Sequence, residues 1–209
     1  QEVDYEAVGF PYDRPGVRIE RLEEAIAICK GAWLPGKFSH EGKHYRITAY
    51  DGIPEPVQKP HPPILVGGGG ERLLKLAARE ADIVGINPNL REGAVTNDAV
   101  QDTLAAMTKQ KVEWVREGAG SRFGDLELQI RYFVAAITDD RRGLAEAMAG
   151  GFGLSADEAL ESGVACVGTV DEVCDLLQAR REEWGVSYVV VGDDQFEAFA
   201  PVVDRLAGK

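Results

Sequence analysis

Pro62-Pro63-Ile64-Leu65-Val66-Gly67-Gly68-Gly69-Gly70-Glu71-Arg72-Leu73-Leu74-Lys75-Leu76-Ala77-Ala78 runs from an apolar segment of strand length, through four glycines, into an amphipathic helix. Glycine lacks a Cβ, so the backbone can come close to a ligand and turn successive N–H groups toward it. The helix that follows adds unpaired N–H groups and the positive end of its dipole. Together these make an anion site, most often one for phosphate. A flexible βα loop without a ligand fits the same residues.

Strands and helices continue to alternate on the C-terminal side. Ala81 to Asn87 is a second buried-type strand, and Asp98 to Gly118 a long helix carrying Val100, Leu104, Met107 and Val115. Leu126 to Thr138 is a third strand, followed by a helix over Arg141 to Gly150. Ser155-Ala156-Asp157-Glu158 and Thr169-Val170-Asp171-Glu172 are capping boxes, each opening a helix. Gly185 closes the second of these helices, Val186 to Val191 is a fourth strand, and Phe196 to Leu206 forms a last amphipathic helix. Four strands alternating with helices imply a parallel sheet, and their continuous apolar runs imply burial on both faces.

On the N-terminal side, Ile19, Leu22, Ile26, Cys29 and Trp33 recur at helical spacing, which predicts a helix over residues 17–34. Gly36 to His61 has no helical period, contains a candidate hairpin about Glu41-Gly42, and ends in a proline-rich stretch.

The chain has 209 residues, 44% of them hydrophobic, enough to bury a core. Its net charge of −12 and lack of a basic patch argue against nucleic acid and against an anionic membrane surface. Cys29, Cys166 and Cys174 are scattered, so buried reduced thiols and a cytoplasmic setting are expected. The three histidines lack metal-ligand spacing, and no metal site is expected. No stretch is long and apolar enough to span a membrane. Gln1 falls inside what reads as a helix or turn, so a fragment or a processed chain is expected.

A dinucleotide fold requires G-x-G-x-x-G and an acidic residue closing the second strand. Here Arg72 or Leu73 stands where the third glycine belongs, and the second strand ends in Asn87-Pro88-Asn89. The Gly-Lys-Ser/Thr of a nucleotide-binding P-loop is also missing. The glycines are better read as a phosphate cup at the C-terminal ends of barrel strands.

Arg14-Pro15-Gly16-Val17-Arg18-Ile19-Glu20-Arg21-Leu22-Glu23-Glu24-Ala25-Ile26 resembles the luciferase-like monooxygenase family, in particular its oxidoreductases that use the deazaflavin coenzyme F420. Phe38 to Arg46 resembles that family's Phe, Gly and Tyr insertion, and Pro62 to Ala81 its phosphate loop. Val167 to Val173 resembles its late helix start, and Ala200 to Leu206 its usual end. The resemblance implies a (β/α)8 TIM-barrel type of fold, with residues 1–209 one domain forming its second half of about four parallel strands, and residues 36–61 an insertion. A half barrel leaves strand edges and an inner face open, so dimerisation, aggregation or a need for the first half is expected.

The resemblance implies hydride transfer between F420 and a small-molecule substrate, by a protein that is often a homodimer. FMN is the alternative coenzyme, for a monooxygenase, and a non-catalytic flavin-binding protein is a reading of another class. Gly67, Gly68, Gly69 and Gly70 are implied to contact the coenzyme phosphate through their N–H groups. Arg72 either adds a charge-assisted bond or points to solvent. Asn87 and Asn89 lie on the site face of the barrel, and turn formation is the favoured account of them. Arg131 faces either the barrel mouth or an exposed strand end. Trp33, His44 and Tyr45 belong to a region that covers the pocket in such proteins, although core packing accounts for Trp33. Asp193-Asp194 is either a pair at a strand's C-terminal end or a cap for the last helix. No general acid or base is identifiable.

Overall fold

The structure, a computed structural model, describes residues 2–90, 96–150 and 153–208. Two helices come first, α1 (Glu2–Ala7) and α2 (Pro15–Ala32). Pro15 suits the first position of α2, where its missing N–H costs nothing. Strands β1 (Lys37–Glu41) and β2 (Arg46–Asp51) then pair antiparallel, as the Glu41-Gly42 turn predicts.

Helix α2 holds this hairpin through two carboxylates. Glu24 accepts the N–H groups of Lys43 (2.8 Å), His44 (3.1 Å) and Tyr45 (2.9 Å). Glu20 accepts Lys43 Nζ at 2.8 Å and lies 2.9 Å from His44 Nε2. Nothing in the helical spacing marks these two glutamates apart from their polar neighbours.

The main sheet contains β3 (Leu65–Gly68), β4 (Ile83–Ile86), β5 (Glu127–Arg131) and β8 (Val186–Val190), all parallel and in that spatial order. The order never reverses, so the sheet winds in one direction, as an arc of a barrel does. Its outer edges, on β3 and β8, pair with no other strand among the described residues. Helices α3 (Glu71–Glu80) and α5 (Ala105–Ala119) pack on each other and on this sheet, and α8 (Val170–Trp184) packs on β8. Val66, Val84, Leu128 and Ile130 bury themselves against Leu74, Ala77, Ala78, Val112 and Val115. Arg122 completes the end of α3 by donating to the carbonyls of Ala78 (2.6 Å) and Ala81 (2.9 Å).

The other face of the sheet is covered on the central strands but open on the two edge strands, where the expectation of burial on both faces fails. Leu65 is 46% exposed and Tyr188 39%. Burial is thus continuous in the central strands, over residues 84–86 of β4 and 128–130 of β5, and alternates in the edge strand β3.

Three further expectations change. The helix expected over Asp98–Gly118 is two helices, α4 (Asn97–Gln101) and α5, because Thr103 turns its hydroxyl back to Val100 O (2.6 Å) and Asp102 is drawn to Lys111. The strand expected over Leu126–Thr138 is also two, because β6 (Val134–Ile137) leaves the main sheet to pair with β7 (Ala165–Gly168). That β7 is a strand not foreseen, although Val164 to Val167 is an apolar run. The third change concerns Cys29, which is exposed and not part of a buried stripe; Cys166 and Cys174 are buried.

Between β6 and β7 lie α6 (Arg141–Ala149) and α7 (Ala156–Glu161). Both expected capping boxes form, Ser155 with Glu158 and Thr169 with Glu172. Gly185 ends α8 at φ 76°, a left-handed conformation that favours glycine. Asp193 and Asp194 lie in a single 3-10 turn, so they do not cap the last helix, α9 (Ala200–Leu206), which Phe199 precedes.

Candidate functional site

The C-terminal ends of β3, β4 and β5 open into one cleft of about 1500 Å³. This exceeds the roughly 300–1,000 Å³ of an ordinary small-molecule pocket, enough for a coenzyme and a second molecule together. All four glycines of the run line it, with Arg72, Asn87, Asn89 and Arg131. The residues singled out around the glycine loop are thus brought to one place. His44, Tyr45 and Trp33 are not among its lining residues. His44 is taken by Glu20, Tyr45 lies under the Arg21 guanidinium, and half-buried Trp33 meets the His61 ring at 5.8 Å.

Gly67 and Gly68 belong to β3 itself, so only Gly69 and Gly70 form the turn into α3. Their N–H groups make no backbone hydrogen bond among the described residues, and no side chain caps α3. The first N–H groups of that helix likewise have no intrahelical acceptor. A row of donors thus faces the cleft at the positive end of the helix dipole.

The glycines also serve the protein's own packing. A Cβ on Gly69 would stand 2.5 Å from both the Asn89 nitrogen and the Pro88 carbonyl carbon. One on Gly67 would meet Asn87 Nδ2 at 2.7 Å, and one on Gly68 would meet Leu73 Cδ2 at 2.5 Å. Only Gly70 has room, with nothing nearer than Asn89 Nδ2 at 3.7 Å. Three of the four glycines therefore let the chain pack on itself, which shapes the turn from which the free donors point.

Two arginines stand at this end of the cleft. Arg72 is 60% exposed, with Nη2 3.8 Å from Glu20 Oε1, so it leans toward α2. Arg18 was not foreseen from the sequence. It lines the cleft one helical turn beyond Pro15, with its guanidinium 4.2 Å from the centre of the Tyr12 ring and its Nε buried without a partner. The Pro15, Arg18, Ile19 and Leu22 spacing was legible, yet the apolar pattern drew attention to Ile19 and Leu22 alone.

The floor beside the glycines is amide. Gln129 is 7% exposed, and Asn87 lies beside it. Gly85 makes room for both: its missing Cβ would lie 2.7 Å from Gln129 Oε1 and 3.7 Å from Asn87 Nδ2. The far wall is mainly apolar, from Phe133, Val134, Met148, Leu154 and Val164. Arg131 stands between the two regions, its guanidinium 5.3 Å from the Phe133 ring centre.

The arrangement offers donors and cations for an anion, amides for a polar ring edge, and apolar walls for an organic molecule. Among the described residues, no group of three His, Cys, Asp or Glu could hold a metal ion. No helix among the described residues is long and apolar enough to cross a membrane.

Residues 1–188 match the sequence model of the luciferase-like monooxygenase family. An FMNH2-dependent dimethylsulfone monooxygenase of Pseudomonas putida is 37% identical over 90 residues, which are 43% of this chain and 25% of that protein. An F420-dependent glucose-6-phosphate dehydrogenase of Kineococcus radiotolerans is 34% identical over 79 residues, 36% of this chain and 22% of that protein. The matched stretches thus span a quarter or less of these relatives. The coenzyme F420-dependent tetrahydromethanopterin reductase from Methanopyrus kandleri superposes with a TM-score of 0.71 at 17% identity, covering 99% of this chain and 70% of that one. The architecture is that of part of a TIM barrel of this type.

Proposed function

The chain belongs to the luciferase-like monooxygenase family, and from that premise we propose that it forms a single domain holding a phosphate-bearing deazaflavin, coenzyme F420, in an oxidoreductase acting on a small organic substrate. The observation that carries this is the row of unpaired N–H groups from Gly69 into α3, with Arg18 and Arg72 beside it. When bound, such a coenzyme supplies or accepts the hydride. The residues of this chain do the rest.

The N–H groups of Gly69 and Gly70 hold the phosphate, and the two arginines supply the opposite charge. Arg72 needs only to exchange its long contact with Glu20 for the anion. Asn87 and Gln129 offer donors and acceptors to the ring edge. Leu22, Leu73, Phe133 and Val134 line the rest and exclude water, which hydride transfer requires.

A second reading keeps the fold and the phosphate cup but takes reduced FMN and oxygen, as a monooxygenase. The 37% identity to the dimethylsulfone monooxygenase favours it specifically. Both coenzymes carry a ring and a phosphate, so the cup serves either.

Fluorescence titration of the chain with F420, with FMN and with riboflavin separates these readings. F420 binding tighter than FMN binding is the expected result. FMN preferred over F420 would move the assignment to the monooxygenase. Riboflavin binding as tightly as FMN would remove the phosphate cup from either reading.

A further inference from the structure

Lys111 lies on α5, is only 2% exposed, and points away from solvent. Its ammonium has three hydrogens and three acceptors: Asn87 O at 3.0 Å, Asp102 O at 2.9 Å and Asp102 Oδ2 at 2.5 Å. The same Asp102 oxygen accepts the Asn89 N–H at 2.6 Å. Asn87 is also tied to the sheet, its N–H donating to Gly68 O at 2.9 Å. The Asn87–Asn89 segment is thus held at both ends, and between them its backbone presses on Gly69.

We infer that the buried Lys111–Asp102 pair is the positioning device of the glycine turn, fixing Asn87–Asn89 against Gly69 and so aiming the free N–H groups of Gly69 and Gly70. The inference rests on reading that turn as the phosphate site. Two features separate the pair from a general stabiliser. A buried ion pair is a weak contributor to stability, because desolvation offsets its attraction. Among the described residues, every hydrogen bond that the two side chains make outside the pair goes to the backbone of one segment, the segment that touches Gly69. Burial pushes the Lys111 ammonium below its ordinary value while Asp102 opposes that shift, as in a charge held for its partner.

The readout is selectivity for phosphate, measured on the 209-residue chain. Affinities for F420 and for its deazaflavin nucleoside without phosphate, or for FMN and riboflavin, give a ratio for each variant. In Lys111→Met we expect the phosphate-bearing ligand to lose about tenfold or more while the phosphate-free ligand is unchanged. A ratio equal to that of the parent, with only the melting temperature lowered, would overturn the inference. Asp102→Asn serves if Lys111→Met does not fold, because an amide oxygen keeps the shape but accepts the Asn89 N–H more weakly than a carboxylate and no longer pairs with Lys111. Hydrogen exchange on that variant is independent of any ligand. The amides of Asn87 and Asn89, both hydrogen-bonded in the parent, should exchange faster while that of Val84 does not. Uniform acceleration, or none, would sink the inference. A parent chain that ignores the phosphate fails the phosphate reading, and hydrogen exchange still decides the positioning.

Discussion

The backbone nitrogen of Asn89 lies 2.5 Å from where a Cβ of Gly69 would stand, whereas the nearest atom to a Gly70 Cβ is Asn89 Nδ2 at 3.7 Å. Neighbouring glycines in one turn therefore have opposite tolerances. Gly69→Ala must push two backbones apart, and we expect a loss of about 1–3 kcal/mol in urea unfolding. Gly70→Asp should leave stability unchanged or raise it by a few tenths, since Gly70 is the extended N-cap of α3 and Asp is a favoured residue there (roughly 0.5 kcal/mol or less). The same carboxylate would occupy the donors and repel a phosphate. Stability kept while F420 or FMN binding is lost is the expected pair of results; unchanged binding would argue against a phosphate at this turn.

Arg180 is buried between two aromatic rings, with its carbon centre 5.2 Å from the Tyr132 ring and 4.9 Å from that of Trp184. It donates to Ala165 O at 2.7 Å and Ser162 O at 2.8 Å, joining α8 to the start of β7. Arg180→Leu strips the arginine donors from both carbonyls, although Ser162 O keeps the Ala165 N–H at 3.1 Å, and a buried group left unsatisfied costs about 1–3 kcal/mol. A drop of about 1–3 kcal/mol in unfolding free energy is expected, with Arg180→Lys intermediate because one ammonium cannot match the planar fork. A loss under about 0.5 kcal/mol would mean that solvent reaches those carbonyls.

Acid should release the hairpin from α2. The hydrogen bond from Lys43, then that to His44, holds the Glu20 carboxyl at about 2 against an ordinary value of 4.5. Burial works against ionisation of Glu24, but the N–H groups of His44, Tyr45 and Lys43 overcome it and hold its carboxyl low as well. A depressed carboxylate contributes fully above its unfolded value, and the contribution is lost as pH falls through the folded one. The window thus runs from about 4.5 down to about 2. The amide resonances of Lys43, His44 and Tyr45 should move in that window, and Glu20→Gln should flatten the acid limb of the stability profile. Parallel profiles for parent and variant would refute this.

Thiol labelling should be graded. Cys29 is exposed, whereas Cys166 is buried and burial pushes its thiol up to about 11. At pH 8 in native conditions a disulfide reagent should modify Cys29 quickly and leave Cys166 and Cys174 until unfolding. Rapid labelling of all three would show that β7 and α8 open readily.

Much of the sheet was legible because each strand announces itself by an apolar run and a turn residue. Ile64 to Val66, Ala81 to Asn87 and Val186 to Val191 all place strands correctly, and the capping boxes at Ser155 and Thr169 give two helix starts to the residue. The breaks at Asp102–Leu104 and Tyr132–Phe133 were hidden because neither contains glycine or proline. The first depends on a lysine nine positions away, and the second on a strand partner more than thirty residues away. Of the site, the glycine turn was visible because its chemistry is contiguous. Arg18, Gln129 and the Lys111–Asp102 pair were not, because only the folded chain brings them to that turn. Cys29 was misplaced because helical spacing identifies a face without saying which part of it a neighbour covers.

Strands β5 and β8 are neighbours in the sheet, yet residues 132–185 run between them as a separate excursion. Among its described residues, that excursion supplies Phe133, Met148, Leu154 and Val164 to the far wall of the cleft, whereas the glycine turn packs against Asn87, Pro88 and Asn89. The two ends of the cleft are therefore written in different parts of the chain. Mutation at those four wall positions can recast what the cleft admits while the turn at Gly69 and Gly70 stays as it is, provided Ser162 and Gly163, which bond Thr103 beside Asp102, are kept. A library confined to this excursion is the economical route to altering which organic molecules enter.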